Sequence, residues 1–594
     1  MHAPVSVSRL FDIPSYQLQT YDLPAAFITK TSRGWESLPT REYVDQTNQM
    51  SRGLLKLGVQ PNDKVAVIAS TNRAEWNICD IGILQVGAQN VPLYPTISKE
   101  DYAYILNHSE ACYCFVSDQE VLDKLNEIRE ETSLKGVFTF DEIANERNWQ
   151  EVLKLGEDAS EQPQVEALKA TIAADDVATI IYTSGTTGKP KGVMLSHDNL
   201  VSNVLALGKR LPLTHGKDTA LSFLPLCHVF ERMVIYLYQY SGISVTYAES
   251  QEKLIDNVNQ AKPQIMTSVP RLYEKVYERI LQRGQALSGV KRRLFYWAVN
   301  LGLRYEPYRA NGWGYALQLG IARKLIFSKW RKALGGNMKI MVSGGAALEP
   351  NLLRIFAAAG LPIMEGYGLT ETSPVIAVND IQHGGFNIGT VGRVIEQVEV
   401  KIADNGEVLV KGPNVMKGYY KDEAKTAEVF TERYFHTGDI GEVDADGLLR
   451  ITGRIKEIFK TSGGKYVAPT KIENLLKQSS FIEQAMVVGE GEKMPAVIIQ
   501  PNFEFVADWA SQQGIAHTEP KELVGNPALR EKMQEEISQI NAQLGQWEQV
   551  KRFEMTDEVW SIADGQLTAK MSMKREAILE RYADLYRKLY AEHA

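Results

Sequence analysis

The residues from 181 to 192, IYTSGTTGKPKG, constrain this chain more than any other part of its sequence. Apolar runs at 177–182 and 193–195 predict a strand on each side of a polar loop. Glycines let the backbone approach a ligand closely, and hydroxyls, N–H groups and two lysines suit a polyphosphate whose charge changes during a reaction. Pro190 follows Lys189, so the loop lacks the Lys-Ser/Thr pair of a P-loop. The alternative is an ordinary surface loop, which this length and composition disfavour.

Length and composition restrict the class of protein. The chain has 594 residues, so more than one domain is expected. Its 44% hydrophobic and 23% charged residues are ordinary for a globular protein, and its net charge of −8 argues against nucleic acid as a partner. No signal peptide is expected at residues 1–14, and no apolar run reaches the ~18 residues that a transmembrane helix needs.

The four cysteines are too few and too irregularly spaced for a disulfide framework, which favours a reducing, cytoplasmic location. Cys112 and Cys114 lie two residues apart on a predicted strand, so we expect their side chains on the same face. No second pair of Cys or His lies near them in the sequence to complete a metal site.

Helical and strand patterns alternate along the first part of the chain, which favours a parallel α/β sheet. Ligands collect at the carboxyl ends of the strands in such sheets. Residues 156–176 are acidic and unpatterned, and they predict a loop. Predicted helices cover 41–57 and 75–86, and predicted strands cover 64–69, 111–116, 220–224, 265–268, 339–342 and 361–364.

The segment EGYGLTET at 365–372 follows the last of these strands. Two glycines flank Tyr367, whose ring could lie flat against an adenine base. Thr370 can donate a hydrogen bond to a phosphate, and Glu371 offers a hard oxygen ligand for Mg²⁺. An ordinary glycine-rich turn is the alternative interpretation.

The segment at 181–192 resembles the phosphate loop of the adenylate-forming superfamily, which includes acyl-CoA synthetases, luciferases and the adenylation domains of peptide synthetases. The resemblance implies that Tyr367 binds adenine, Thr370 binds a phosphate and Glu371 binds the metal. It also implies that the small residues at 344–346 lie on the other side of the adenine.

A second part of the resemblance concerns the ribose. The segment YFHTGD at 434–439 is similar to the family segment whose Asp accepts hydrogen bonds from both ribose hydroxyls, which implies this role for Asp439. Arg454 matches the following Arg of the family, which also reaches the ribose. Considered alone, either residue is more often structural.

Two segments are similar to the long-chain acyl-CoA synthetase branch of bacterial type: LPLCHVFER at 224–232 and SVPRLYEK at 268–275. The resemblance implies that His228 lies beside the acyl carboxylate, although a lone His is more often structural. In the implied reaction a fatty acid carboxylate attacks the α-phosphorus of ATP, and acyl-AMP and pyrophosphate form. The CoA thiolate then displaces AMP. Mg²⁺, Lys191 and a further Lys would offset the repulsion between the two anions.

That further Lys lies in the segment GQLTAKMSMKR at 565–575, which departs from the family pattern. The catalytic Lys of many superfamily members aligns with Lys570. Typical long-chain synthetases read Thr-Pro-Thr-x-Lys-x-Lys-Arg, whose first Lys would fall on Ser572. We predict that Lys570 is the adenylation lysine, with Lys574 second. The alternative is a lysine at a helix start with no role.

The segment KEIFKTSGGKY at 456–466 resembles the family's hinge and thiol-side loop, where the small domain reorients between half-reactions. We therefore expect an α/β fold. A large N-terminal domain (1–455) of doubly wound sheets carries a β-rich subdomain with short strands in 398–412 and 434–452. A hinge joins it to a small mobile α+β C-terminal domain (456–594).

The predicted site residues form five groups. The catalytic group is Lys570, Lys191, Thr370, Glu371 and His228. The nucleotide-binding group is Thr183, Ser184, Gly185, Thr186, Thr187, Gly188, Lys189, Gly344, Gly345, Ala346, Glu365, Gly366, Tyr367, Gly368, Asp439 and Arg454. The metal ligands are Thr183 and Glu371, the hinge residue is Lys456, and the CoA-side group is Lys460, Gly463, Gly464 and Tyr466.

The predicted function is a long-chain fatty acid–CoA ligase with Mg²⁺ as cofactor and fatty acid, ATP and CoA as substrates. Two alternatives stay open: an acyl-AMP ligase that loads a carrier protein, and a catalytically silent, membrane-associated protein that binds acyl groups or nucleotides. The loop at 463–465 is intact and no insertion is apparent before it, which argues against the acyl-AMP ligase. The presence of a candidate residue for every catalytic role argues against the second. The oligomeric state is left open, a dimer included.

Residues 271–332 carry fourteen Lys or Arg and three Asp or Glu, a local net charge of +11, with eleven aromatic residues among them. Three interpretations are open: an ordinary helical surface, a charged entrance for an anionic substrate, and a peripheral contact with the inner face of a membrane. In the third, basic residues meet anionic head groups and aromatic rings lie at the interface.

Overall fold

The computed structural model describes all residues except 1–5, 32, 184–188, 383, 517–518, 563, 569–571 and 592–594, and it describes residue 456 without its side chain. The predictions for Ser184, Gly185, Thr186, Thr187, Gly188 and Lys570 therefore lie outside the described residues, as does any contact of the Lys456 side chain.

The strands are β1 (Phe27–Thr31), β2 (Gly34–Leu38), β3 (Lys64–Ile68), β4 (Gln89–Leu93), β5 (Ala111–Val116), β6 (Gly136–Thr139), β7 (Val177–Thr183), β8 (Lys191–Ser196), β9 (Thr219–Ser222), β10 (Ser244–Tyr247), β11 (Ile265–Ser268), β12 (Ile340–Ser343), β13 (Ile363–Gly368), β14 (Val375–Val378), β15 (Arg393–Val394), β16 (Glu399–Ile402), β17 (Glu407–Lys411), β18 (Gly418–Tyr419), β19 (Phe430–Thr431), β20 (Tyr434–Val443), β21 (Leu449–Arg454), β22 (Phe459–Lys460), β23 (Tyr466–Val467), β24 (Ile482–Val488), β25 (Ala496–Pro501) and β26 (Arg552–Met555).

The α-helices are α1 (Asp12–Thr20), α2 (Thr40–Lys56), α3 (Ala74–Gln85), α4 (Lys99–Ser109), α5 (Gln119–Asn126), α6 (Gln150–Leu155), α7 (Gln162–Thr171), α8 (His197–Arg210), α9 (Val229–Tyr240), α10 (Leu254–Ala261), α11 (Pro270–Gln285), α12 (Gly289–Gly302), α13 (Gly312–Ala322), α14 (Ser328–Ala333), α15 (Pro350–Ala359), α16 (Glu423–Glu428), α17 (Pro469–Leu476), α18 (Phe503–Gln512), α19 (Pro520–Val524), α20 (Pro527–Asn541), α21 (Arg575–Arg581) and α22 (Ala583–Tyr590).

Two large sheets confirm the predicted α/β class. One has the order β18-β8-β7-β4-β3-β5-β6, and the other has the order β15-β14-β13-β12-β11-β9-β10-β1-β2. The strands from β4 to β6 in the first sheet and from β13 to β1 in the second are parallel. Their apolar runs are buried on both faces, which is typical of parallel sheets covered by helices.

Successive side chains of a strand point to opposite faces of the sheet, and in the central strands each face packs in a different part of the core. In β3, Val65 and Val67 pack in one apolar cluster, whereas Ala66 and Ile68 pack in another. The first of these clusters also takes Ile340 from β12, so it holds side chains of both large sheets. Since every side chain of β12 is buried, the loop after this strand starts from a fixed position.

The hairpin formed by β7 and β8 continues directly into a well-capped helix, α8. Ser196 ends β8, and its hydroxyl accepts a hydrogen bond from the Asn199 N–H at 3.1 Å, while the Asn199 side chain accepts from the Ser196 N–H at 2.8 Å. This capping box satisfies two backbone donors at the start of α8. The C-terminal end of β8 is therefore held by both the sheet and the helix.

Two sequence predictions were wrong in detail. Residues 156–176 contain helix α7 instead of a continuous loop. The sequence pattern did not indicate this helix, because only its Val165 is buried and no apolar stripe marks it. Cys112 and Cys114 pack in different clusters, because the register of β5 against β3 shifts by one residue between Ala111 and Tyr113. All four cysteines are free and buried.

The chain divides into two compact units. Unit 1 comprises Met1–Lys401, Leu409–His436 and Ala445–Leu449, and unit 2 comprises Ile402–Val408, Thr437–Asp444 and Arg450–Ala594. Unit 2 contains the sheet β24-β25-β26 and the two-stranded sheet β22-β23, with helices α17 to α22. The predicted domain boundary at 455/456 stays a prediction. No helix among the described residues is both long and apolar enough to cross a bilayer.

Candidate active site

The polar loop lies between two antiparallel strands. β7 and β8 pair along their length, and Thr183 is the partner of Lys191 at the loop end. Both side chains are half-buried. Lys189 is exposed, and its Nζ lies 5.3 Å from the ring centroid of Tyr104. The two ends of the loop are therefore fixed by strand pairing, with a hydroxyl on one strand opposite an ammonium group on the other.

Lys191 and Glu371 meet through a residue that sequence reasoning missed. Tyr419 lies on β18, which pairs with β8 opposite Val193. The Nζ of Lys191 lies 5.4 Å from the ring centroid of Tyr419, and the Tyr419 hydroxyl donates a hydrogen bond to Glu371 Oε1 at 3.1 Å. Burial and the Glu371 carboxylate raise the pKa of Tyr419 well above its ordinary value, which keeps this hydroxyl a donor.

The backbone of Glu371 is held as well. Its carbonyl accepts a hydrogen bond from the Met416 N–H at 2.9 Å, and the short 3₁₀ turn Thr370–Thr372 leaves Thr370 buried and Glu371 half-buried. One carboxylate oxygen is occupied by Tyr419. The carboxylate is therefore fixed in direction, as an Mg²⁺ ligand needs to be.

The segment before it forms the end of β13. A Cβ at Gly368 would lie 1.7 Å from the carbonyl oxygen of Pro374, so only glycine fits there. Gly366 has ordinary space, and Tyr367 is half-buried. Glu365 lies deeper: it accepts a hydrogen bond from the Leu348 N–H at 3.0 Å, and burial raises the pKa of its carboxyl to about 7.

The small-residue loop lies at the same sheet edge. β12 and β13 are parallel neighbours with Ser343 opposite Glu365, so Gly344, Gly345 and Ala346 leave the sheet beside the Tyr367 segment. Gly345 has a φ of +84°, which favours glycine. The Ser343 hydroxyl is buried and has no hydrogen-bond partner within the described part of the chain. These features leave a polar group available to a planar ligand.

His228 begins helix α9. Its Nδ1 accepts a hydrogen bond from the Phe230 N–H at 3.1 Å, so the imidazole caps the helix. Gly344 approaches the Phe230 ring, since a Cβ there would lie 3.0 Å from it. The His228 loop and the Gly344 loop are thus adjacent.

Glu231 and Arg232, in the first turn of α9, are buried and hydrogen-bonded. Glu231 accepts hydrogen bonds from Ser222 Oγ at 2.5 Å and Thr267 Oγ1 at 2.8 Å. Arg232 pairs with Asp80 at 2.5 Å and donates to Thr179 Oγ1 of β7 at 2.7 Å. These bonds connect α9 to the strands that lead into the site.

Unit 2 holds the predicted ribose pair. Arg454 Nε lies 2.7 Å from Asp439 Oδ1, and Asp439 is buried whereas the Arg454 side chain is half-exposed. The Asp439 N–H also donates to Thr437 Oγ1 at 3.1 Å. The sequence prediction therefore brought together two side chains that do touch.

The predicted hinge and CoA-side residues also lie in unit 2. Ile455–Glu457 is a single 3₁₀ turn, which includes the backbone of Lys456. Lys460 and Tyr466 face each other across the β22–β23 hairpin, with Lys460 Nζ 5.5 Å from the Tyr466 ring centroid. Gly464, with a φ of +78°, makes the turn between them, and Gly463 is exposed beside it.

The residues on either side of Lys570 are paired. Leu567 bridges to Met573, and the Thr568 N–H donates to the Ser572 carbonyl at 2.8 Å. Lys574 is exposed at the start of α21. The next residue, Arg575, forms an ion pair of 2.6 Å with the buried Glu473.

The donor set suits Mg²⁺ bound together with a substrate. Within the described residues, no group of three or more His, Cys, Asp or Glu side chains could hold a metal ion. Mg²⁺ is commonly held by one or two carboxylates together with substrate phosphates and water. The single carboxylate of Glu371, which Tyr419 links to Lys191 at the end of the polar loop, fits that pattern.

Comparison with known proteins identifies the family. The family model described as AMP-binding enzyme matches residues 18–420, and that of the AMP-binding enzyme C-terminal domain matches residues 456–594. The chain belongs to the AMP-binding enzyme family. The predicted resemblance to the adenylate-forming superfamily is thereby confirmed.

Relatives of 32–34% identity agree with this assignment. The long-chain-fatty-acid–CoA ligases FadD15 of Mycobacterium bovis and Mycobacterium tuberculosis are each 34% identical over 569 residues, 94% of this chain and 92% of theirs. Long chain acyl-CoA synthetase 7, peroxisomal, of Arabidopsis thaliana is 32% identical over 93% of this chain and 81% of its own.

Two solved structures share the fold. The anthranilate CoA ligase AuaEII in complex with anthranoyl-AMP has a TM-score of 0.71 at 20% identity, with 99% of both chains covered. The o-succinylbenzoate CoA synthetase MenE of Bacillus subtilis, in complex with ATP and magnesium ion, has a TM-score of 0.67 at 18% identity, covering 95% of this chain and 98% of its own. At these identities the likeness shows the fold alone.

Proposed function

We propose that the chain is a long-chain fatty acid–CoA ligase that forms acyl-AMP from a fatty acid and ATP and then transfers the acyl group to CoA. The observation that carries the proposal is the contact of Lys191 and Glu371 through Tyr419 beside the β7–β8 hairpin. It places a cation and a fixed carboxylate at the end of a loop suited to polyphosphate. The 34% sequence identity to the FadD15 ligases over 94% of the chain supports a fatty acid as the substrate.

In the first half-reaction, two anions must approach each other. The ammonium group of Lys191 would stabilise the negative charge that builds up on the α-phosphate as the carboxylate attacks. Thr183 and Glu371 would hold Mg²⁺ together with phosphate oxygens. Bound there, the ion would supply charge neutralisation of the triphosphate. Thr370 would donate to a phosphate oxygen, and Tyr419 would keep the Glu371 carboxylate in place.

The remaining nucleotide contacts would come from the loop after β12, from the end of β13 and from the pair Asp439 and Arg454. Tyr367 would lie against the adenine on one side, with Gly344, Gly345 and Ala346 on the other. The buried Ser343 hydroxyl, which has no hydrogen-bond partner among the described residues, would offer one further polar contact near the adenine. Asp439 would accept hydrogen bonds from the ribose hydroxyls, with Arg454 beside it.

Three roles depend on the smaller C-terminal domain, which we propose to comprise 456–594. Lys456 would be its pivot, and Lys460, Gly463, Gly464 and Tyr466 would line the path of the thiol. Lys570, with Lys574 second, would supply the further positive charge in the first half-reaction. His228 would lie beside the acyl carboxylate, held as the cap of α9. We also propose a cytoplasmic enzyme that contacts the inner face of a membrane through residues 271–332.

The test is to incubate the purified protein with ATP, Mg²⁺, CoA and an equimolar series of short- to long-chain fatty acids, and to identify the products by mass spectrometry. Long-chain acyl-CoA together with AMP is the expected result. Acyl-AMP without thioester would replace the proposal with a ligase that loads a carrier protein. No acyl product would overturn it. Glu371→Gln should reduce acyl-AMP formation, whereas Glu428→Gln on exposed α16 should not.

A further inference from the structure

Helix α13 is an apolar helix at the surface of unit 1. Its sequence, GWGYALQLGIA, contains no charged residue. A helix that is apolar all round is normally buried on every side. In α13 only one side is buried: Leu319 and Ala322 pack in the core, and the Tyr315 hydroxyl donates to the Leu301 carbonyl of α12 at 2.8 Å. The opposite side is exposed.

The uncovered side carries a row of large apolar side chains four residues apart. The exposed fractions are 86% for Trp313, 63% for Leu317, 47% for Ile321 and 46% for Leu325, the last in the π-helical turn Arg323–Phe327 that continues α13. Residues four apart lie on the same helix face. We call these four residues the α13 face. Its length is roughly 18 Å, from a rise of about 1.5 Å per residue.

The helical segment that contains this face is rich in exposed basic residues. They lie on α12, on α14 and on the segments that connect these helices to α13. Each of the three acidic residues between 271 and 332 is within reach of an arginine: Glu274 and Glu278 lie 3.0 and 3.8 Å from Arg271, and Glu306 lies 3.0 Å from Arg354. The exposed basic residues are Lys291, Arg292, Arg293, Arg304, Arg309, Lys324, Lys329 and Lys332.

A shallow groove on α12 carries basic and aromatic side chains. Arg292, Arg293 and Trp297 line it, and the guanidinium carbon of Arg292 lies 5.9 Å from the ring centroid of Tyr296. Basic and aromatic side chains that lie together in this way suit a phosphate head group at a membrane interface.

We propose that the α13 face inserts into an anionic lipid bilayer, with the basic residues of α12 and α14 in contact with the head groups. An apolar row with an aromatic end, in a segment with a net charge of +11, has the composition of an interfacial amphipathic helix. A second copy of the chain is disfavoured as occupant, because a symmetric dimer through this face would bring the two +11 segments together. The proposal extends the proposed function, since a bilayer is where a long-chain fatty acid is held.

The test measures binding of the full chain to vesicles by co-sedimentation, without ATP, CoA or fatty acid. We expect binding to phosphatidylcholine vesicles that contain about one third phosphatidylglycerol, weaker binding to phosphatidylcholine alone, and loss of most binding in about 0.5 M salt. Because no substrate is present, a failure here leaves the proposed ligase activity untouched, and a failure of that activity leaves this result untouched.

Two variants locate the contact. Leu317→Glu should lower vesicle binding about tenfold or more, because a charged side chain replaces an inserted apolar one. The matched control is Val559→Glu, which changes a residue of similar exposure, 60%, in unit 2 and should bind like the wild type. The combined change Lys291→Gln, Arg292→Gln and Arg293→Gln should lower binding to anionic vesicles by on the order of a hundredfold and reduce its salt dependence.

Thermal unfolding curves equal to that of the wild type would exclude misfolding of these exposed-site variants. Equal binding by Leu317→Glu and the wild type would overturn the proposal, as would absence of wild-type binding to anionic vesicles. A wild-type dimer that Leu317→Glu dissociates, measured by analytical ultracentrifugation without lipid, would also overturn it in favour of a second copy as occupant.

Discussion

Tyr419 is the residue whose removal tests the site most sharply. Tyr419→Phe keeps the ring near Lys191 and deletes the hydroxyl that donates to Glu371. We expect the Mg²⁺ concentration for half-maximal acyl-AMP formation to rise on the order of tenfold, because residues that orient a metal ligand have effects of this size. The measurement is pyrophosphate release against Mg²⁺ concentration. The matched control is Tyr420→Phe, whose hydroxyl contacts exposed Glu110 at 3.4 Å; equal Mg²⁺ dependence in both variants would refute the role of Tyr419.

Gly368 makes a prediction about packing at the same scale. In Gly368→Ala the new methyl group would meet the Pro374 carbonyl, which is backbone and cannot rotate away. We expect a loss of about 1–3 kcal/mol in the free energy of unfolding of unit 1. Gly366→Ala, two residues earlier on β13, has ordinary space at 3.8 Å and should change stability little. Thermal denaturation of both variants measures the difference, and similar stabilities would contradict the close approach at Gly368.

At the scale of elements, Glu231 joins α9 to the ends of β9 and β11. Burial raises the pKa of its carboxyl from 4.5 to about 7. The folded state therefore holds a proton that the unfolded chain releases between these values, so stability falls as the pH rises from 4.5 to about 7. In Glu231→Gln this titration is absent. Stability relative to the wild type should rise across the window by about 3 kcal/mol at most.

The measurement is urea denaturation at several pH values from below to above this window. Glu428→Gln, an exposed change on α16, provides the control and should follow the wild-type pH dependence. If the Glu231→Gln and wild-type curves ran parallel, the carboxyl would not hold its proton in the folded state.

The elements that the sequence predicted well are those with a clear apolar pattern. β3, β5 and β11 are buried almost throughout, and the spacing of α2 marks its buried face. Helix α7 was missed because it buries a single side chain. The contact of Tyr419 with Glu371 spans 48 residues and depends on β18 joining the edge of β8, which no local pattern encodes. The sequence could indicate the site motifs because each is a continuous segment, and the roles of their residues stay predictions.

At the scale of the whole molecule, each unit has apolar clusters of its own. Arg575 pairs with Glu473 inside unit 2, and Glu473 is buried. Arg575→Ala would leave that carboxylate without its counter-ion, which costs about 3 kcal/mol. We expect calorimetry to show the transition of unit 2 lowered by roughly 5–10 °C, with that of unit 1 unchanged. Arg587→Ala removes an exposed pair on α22 and should move neither transition; a common shift of both would contradict separate units.

The charge of this chain is unevenly divided. Residues 271–332 carry +11 while the whole chain carries −8, which leaves −19 on all other residues. Near an anionic surface, such a molecule would experience a torque as well as an attraction, because the surface attracts the basic segment and repels the acidic remainder. The molecule would therefore be oriented with α13 towards the surface before it makes contact. Ionic strength would then govern how many encounters are productive, and not only how long each one lasts.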